Sequence, residues 1–77
     1  MPKGGRYANY FQIGRRASEI VVDFGQCVSD SEGPEFFIRI FTSPAHAKEL
    51  SRVLAEALNE YEQEYGQILP LAGDDEP

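Results

Sequence analysis

The chain has no tryptophan, one cysteine (Cys27) and one histidine (His46). A lone cysteine excludes a disulfide within the chain, and one Cys with one His falls short of the four ligands of a structural zinc site. A chain of 77 residues makes one domain, and a domain of this size hides only about 60% of the surface that its unfolded chain exposes. Small domains make up that deficit with disulfides, a metal or association, and only association remains here. Also missing is any run of roughly 18 apolar residues that would cross a bilayer. Residues 1–18 carry Lys3, Arg6, Arg15 and Arg16 but no apolar run of the kind that marks a secretion signal. The expected location is the cytoplasm, whose reducing conditions suit an unpaired thiol.

Each end of the chain lacks charge of one sign. Residues 1–18 contain four basic groups and no acidic ones, whereas residues 53–77 contain seven acidic groups and no basic ones, within a net charge of -6. An acidic protein is repelled by nucleic acid unless its cations are focused into one patch. Opposed ends also favour contact between copies.

Catalytic signals are scarce too. Asp23-Phe24-Gly25 matches the magnesium-holding tripeptide of protein kinases, but only 22 residues precede it. The glycine-rich loop, strand lysine and catalytic loop that such chemistry requires are absent, so the match is coincidental. His46 has no second ligand beside it, and a position near a helix N-terminus favours its neutral form. It reads as a surface or capping residue. Cys27 follows a strand without an identifiable base and reads as a structural thiol. Glu56, Glu60 and Glu64, four apart, form an acidic ridge of the kind that usually faces solvent. We therefore expect no catalytic residue, no metal and no cofactor.

What the sequence does contain is periodicity. After a tail over 1–6, Tyr7 to Ile13 alternates as a strand, with Tyr7, Phe11 and Ile13 on one side and Tyr10 on the other. Residues 14–18 read as a turn, and Glu19 to Gly25 as a second strand with Ile20, Val22 and Phe24 opposed to Val21 and Asp23. The Ser, Asp, Gly and Pro of residues 26–35 favour a loop, expected to be mobile. Phe36 to Thr42 reads as a third strand, with Phe36, Ile38 and Ile40 on one face and Phe37, Arg39 and Phe41 on the other.

The period then changes. Ser43-Pro44 is a helix start, because the serine oxygen can accept an orphan N–H and proline costs nothing at the first helical position. Ala47, Leu50, Leu54, Ala57, Tyr61 and Tyr65 recur at three and four, Val53 and Leu58 widen the stripe, and Gly66 ends it. Ile68, Leu69 and Leu71 form a short apolar group, and residues 69–77 are expected to be an acidic, disordered tail.

The predicted fold is α+β: a three-stranded antiparallel meander followed by one long C-terminal helix on one sheet face, forming a single domain over 7–68. One helix covers one face. Tyr10, Val21, Phe37 and Phe41 remain on the other, and leaving such side chains wet forgoes roughly 1.5–3 kcal/mol for each large one. That face is therefore expected to be an interface, built from Tyr10, Val21, Asp23, Phe37, Arg39 and Phe41. Asp23 is expected opposite Arg39, an ion pair that fixes register because a one-residue slip would exchange the faces.

NYFQIG (9–14), EIVVDFG (19–25), RIFTSPAHAKEL (39–50) and YEQEYG (61–66) together resemble a short bacterial and archaeal family of unknown function, DUF3467, across about residues 7–68. Asn9-Tyr10-Phe11, Asp23-Phe24 and Ser43-Pro44 followed by Ala47-Lys48 carry the resemblance, and Arg15-Arg16-Ala17-Ser18 departs from the family's more apolar turn. The resemblance implies a compact cytosolic domain and supplies no activity that could be carried over. A meander with one long helix is also broadly similar to the export chaperone SecB, at fold level only. The expected function is a non-enzymatic module that self-associates as a homo-oligomer, a dimer or higher, through its sheet face and serves as an adaptor-like or chaperone-like domain for a protein client. The alternative is nucleic-acid binding through Lys3, Arg6, Arg15 and Arg16, in a segment that mixes cations with aromatics.

Overall fold

The computed structural model describes residues 4–27 and 33–71. The chain orders β1 (Tyr10–Arg16), β2 (Glu19–Gln26), β3 (Glu35–Thr42) and α1 (Pro44–Tyr65). Three antiparallel strands in the order β1-β2-β3 form an open sheet, and one C-terminal helix follows. The chain divides into two compact units, Met1–Ala47 and Lys48–Pro77.

In the sheet unit, β1 starts later and ends later than the alternation predicts. Arg15 and Arg16 belong to the strand, opposite Ile20 and Glu19, so the predicted five-residue turn shrinks to Ala17-Ser18. The late start has a cause in Asn9. Its backbone N–H donates to the Gly25 carbonyl (3.1 Å), while its side-chain amide accepts from Cys27 N–H (2.8 Å) and donates to Cys27 C=O (3.3 Å). The side chain thus does what a peptide group would do one step further along the ladder, and Tyr7 lies outside the strand.

A bulge interrupts the second pairing. Phe24 pairs with Ile38, but Gly25 pairs with Phe36, leaving Phe37 as the extra residue of β3. Phe36 therefore does not share a face with Ile38 and Ile40, as strict alternation predicts. It stands across Gly25 from Tyr10, with ring centroids 5.6 Å apart. Gly25 permits this, since a Cβ there would lie 2.6 Å from the Glu35 carbonyl oxygen and 3.0 Å from the Phe36 ring.

The helix has the predicted bounds. Ser43 Oγ accepts from His46 N–H at 3.0 Å and also meets His46 Nδ1 at 2.8 Å, so the hydroxyl caps the first turn and the imidazole orients the hydroxyl. At the other end Gly66 takes φ +107°, and its N–H donates to the Glu62 carbonyl. The Glu62 carboxylate accepts from Ile68 N–H at 2.9 Å. Arg52 forms a two-armed pair with Glu49 and reaches Glu56 at 3.7 Å, at the head of the Glu56, Glu60, Glu64 ridge.

Burial departs furthest from expectation. Among the described residues, Val22 is the one buried hydrophobic side chain, and no residue of α1 is buried. Phe11, Ile13, Ile38 and Ile40, expected under the helix, are 42–66% exposed, and the stripe from Leu50 to Tyr65 is 45–68% exposed. No helix of the described residues is long and apolar enough to cross a membrane. The tail over 1–3, the loop over 28–32 and the acidic end over 72–77 lie outside the described residues.

Candidate interaction surface

The register gathers three cross-strand rows onto one sheet face: Tyr10–Gly25–Phe36, Gln12–Asp23–Arg39 and Gly14–Val21–Phe41. Of the six residues that the sequence marks as an interface, Tyr10, Val21, Asp23, Arg39 and Phe41 share these rows. Tyr10 and Phe41 are exposed, and Val21 is half-buried at the centre. Phe37 sits at the bulge, half-buried, with the Arg6 guanidinium 4.0 Å above its ring centroid. Phe36 joins the face, which the sequence pattern missed; a glycine inside a strand was the available signal, because such glycines often mark bulges.

The middle row is polar. Arg39 donates to both Asp23 oxygens, from Nε at 2.7 Å and from Nη2 at 3.0 Å. That hydrogen bond holds the Asp23 carboxyl below its ordinary value, with burial opposing, and raises the Arg39 guanidinium. Beside the pair lies a shallow hollow of about 390 Å³, lined by Gln12, Gly14, Arg16, Val21, Asp23 and Arg39 among others. Gly14 makes the room for it: a Cβ at that position would meet nothing within 4 Å. Phe41 is exposed at the far end of the same row.

A family model described as a protein of unknown function, DUF3467, matches residues 3–70. The chain belongs to the DUF3467 family. Comparison with curated proteins and with solved structures returns no match. In this DUF3467 chain the stretches that carry the resemblance have structural work: Asn9 extends the β1–β2 ladder, Asp23 anchors Arg39, and Ser43 caps the helix.

The cations of the alternative reading are spread along the chain. Arg6 covers Phe37, whereas Arg15 and Arg16 lie beside the β1–β2 turn, where Arg16 reaches Glu19 at 4.0 Å. Arg15 and Arg16 are neighbours in β1, and both line the hollow beside the Asp23–Arg39 pair. Lys3 lies outside the described residues. Among the described residues no three His, Cys, Asp or Glu side chains converge. His46 is engaged with Ser43, and the Cys27 backbone with Asn9.

Proposed function

We propose that the protein is a non-enzymatic module that self-associates through the Tyr10–Val21–Phe41 sheet face and presents an adaptor-like or chaperone-like surface to a protein client in the cytoplasm. One observation carries this reading: Val22 is the one buried apolar side chain among the described residues, while the sheet face around the Asp23–Arg39 pair leaves large aromatics open. A domain with so small a core gains several kcal/mol by covering that face, at roughly 1.5–3 kcal/mol for each large apolar side chain removed from water. The fixed ion pair amid apolar neighbours supplies orientation, since a misplaced partner would strip water from the charges without matching them.

Light scattering tests the reading. The purified chain should show a mass of at least twice 8.6 kDa, and Phe37→Asp with Phe41→Asp should reduce it. A monomeric unmutated chain would refute the proposal. Retention of DNA or RNA at low salt, abolished by Arg15→Glu with Arg16→Glu, would favour the other reading.

A further inference from the structure

The outer edge of β1 differs from that of β3. The β1–β2 ladder runs through seven consecutive pairs without a break, whereas β3 carries the bulge opposite Phe24 and Gly25. Bulges twist an edge away from further pairing, so β1 is the edge that can take another strand. Every residue of β1 is exposed, and its outward N–H and C=O groups meet no strand among the described residues.

The hollow opens beside the same strand. Its lining contains Arg15, Arg16 and Arg39 against Asp23, three positive groups and one negative, a balance of +2. The Arg39 guanidinium is fixed by its two bonds to Asp23, and Arg16 meets Glu19 at 4.0 Å, the outer limit of an ion pair. The volume of about 390 Å³ falls within the roughly 300–1,000 Å³ of ligand sites.

We propose that β1 takes an extended peptide of a client protein as a fourth strand, and that this peptide alternates acidic with apolar side chains so that its carboxylates enter the Arg15–Arg16–Arg39 hollow. The inference rests on the client-binding part of the function proposed above and specifies the client's chemistry.

Strand geometry gives the alternation. A strand added about 4.8 Å from β1 sends successive side chains to opposite faces. Those beside Gln12 and Gly14 arrive at the hollow, where guanidinium groups bind carboxylates through paired N–H donors. Those on the other face lie beside Phe11 and Ile13, 57% and 66% exposed, where apolar side chains are favoured. Main-chain bonds supply affinity, and the alternate side chains supply selection.

The chain's own acidic segments do not answer this description. The Glu56, Glu60, Glu64 ridge lies on a helix, which satisfies its N–H and C=O groups internally and cannot extend a sheet. Asp74, Asp75 and Glu76 are consecutive, so an extended backbone would send carboxylates to both faces and offer nothing apolar to Phe11 and Ile13. Nucleic acid fits less well than peptide, because the net charge of -6 repels it and the hollow itself contains Asp23.

Fluorescence anisotropy on the full chain tests the inference. The probe is a labelled peptide of about eight residues in which glutamate and valine alternate. It should bind, and more weakly as salt rises. Replacing its glutamates by lysine should abolish binding, as should N-methylation of one of its two alternating sets of amides, which keeps the charges and removes main-chain donors. Arg15→Gln with Arg16→Gln should weaken binding about three- to tenfold. Phe41→Ser, which alters the self-association face and leaves β1 intact, should retain it. A chain that is monomeric by light scattering yet binds the peptide would refute self-association and support the inference, whereas an oligomer that does not bind it would do the reverse. Undiminished binding of the lysine peptide or of both N-methylated peptides, or tighter binding of an oligothymidylate of the same length, would also overturn the inference.

Discussion

Asp23 and Arg39 stand opposite each other on the two longest strands, yet they differ in exposure: the Asp23 side chain is 11% exposed and the Arg39 side chain 61%. The carboxylate is the anchored partner, held in the central strand with two guanidinium donors above it. A one-residue slip of β3 would carry Arg39 to the other face and leave a covered carboxylate without a donor, a costly state in a domain with little stability to lose. The pair thus selects the register in which Val21 and Phe41 come together.

Its pH dependence follows. The Asp23 carboxyl titrates below its ordinary value of 3.8 because Arg39 donates to it. Between the folded and unfolded values the unfolded chain binds more protons, so the pair's contribution is complete above the ordinary value and is lost as pH falls through the lower folded one. Acid unfolding of the unmutated chain should steepen below pH 3.8. Asp23→Asn should lower the midpoint at neutral pH and remove that steepening. A variant that unfolds in acid with an unchanged profile would show that the pair does not contribute.

Gly25 is the second determinant of the face. A methyl group there meets the Glu35 carbonyl oxygen at 2.6 Å, a backbone atom that cannot swing aside as a side chain can. Gly25→Ala should therefore destabilise the fold by about 1–3 kcal/mol, the usual range for overpacking, and separate the Tyr10 and Phe36 rings. Chemical denaturation reads the first effect. Loss of ring-current shifts at Tyr10 and Phe36 reads the second.

Gly14 makes the opposite case. It lies on the same face, but a side chain there meets nothing within the chain. Gly14→Leu should leave the monomer as stable or raise its stability by up to about 1 kcal/mol, because glycine within a strand costs about that much in backbone freedom. It should nevertheless weaken self-association by filling the hollow beside Val21. Reduced mass in light scattering with an unchanged or raised unfolding midpoint is the expected pairing. Unchanged mass would show that the hollow is not used.

Much of this architecture is legible in the residues. Ser43-Pro44 and Gly66 mark both ends of the helix, because a capping oxygen and a glycine at positive φ are local requirements. The opposition of Asp23 and Arg39 follows from counting outward through the β2–β3 hairpin. The side of Phe36 does not, since alternation assumes an unbroken ladder and Gly25 breaks it. Nor does the start of β1: Asn9 reads as a strand residue, but its side chain substitutes for the backbone at Cys27. Amphipathicity indicates that the helix stripe needs cover and does not say what supplies it.

The Asn9 arrangement calls for an amide in particular. One arm accepts from Cys27 N–H and the other donates to Cys27 C=O, so a carboxylate can serve only the first. Asn9→Asp and Asn9→Ala should each cost about 1 kcal/mol, the usual net worth of a hydrogen bond. Faster amide exchange at Cys27 than in the unmutated chain would localise the loss. Equal protection in all three would show that the edge holds without this residue.

The helix gives the last and most general prediction. No residue of its 22 is buried, and its local terms are the Ser43 cap, the Arg52 pairs and the Tyr61–Tyr65 contact at 4.9 Å. Such terms are worth a few tenths to about 1 kcal/mol each, whereas most helical stability in proteins comes from packing of an amphipathic face. Its helicity should therefore depend on protein concentration. Far-ultraviolet circular dichroism across a dilution series should show helical signal falling together with oligomer mass, and Ser43→Ala should move the transition to higher concentration. Full helicity in a demonstrably monomeric sample would mean that the helix is stable alone, and the need for a covering partner would disappear with it.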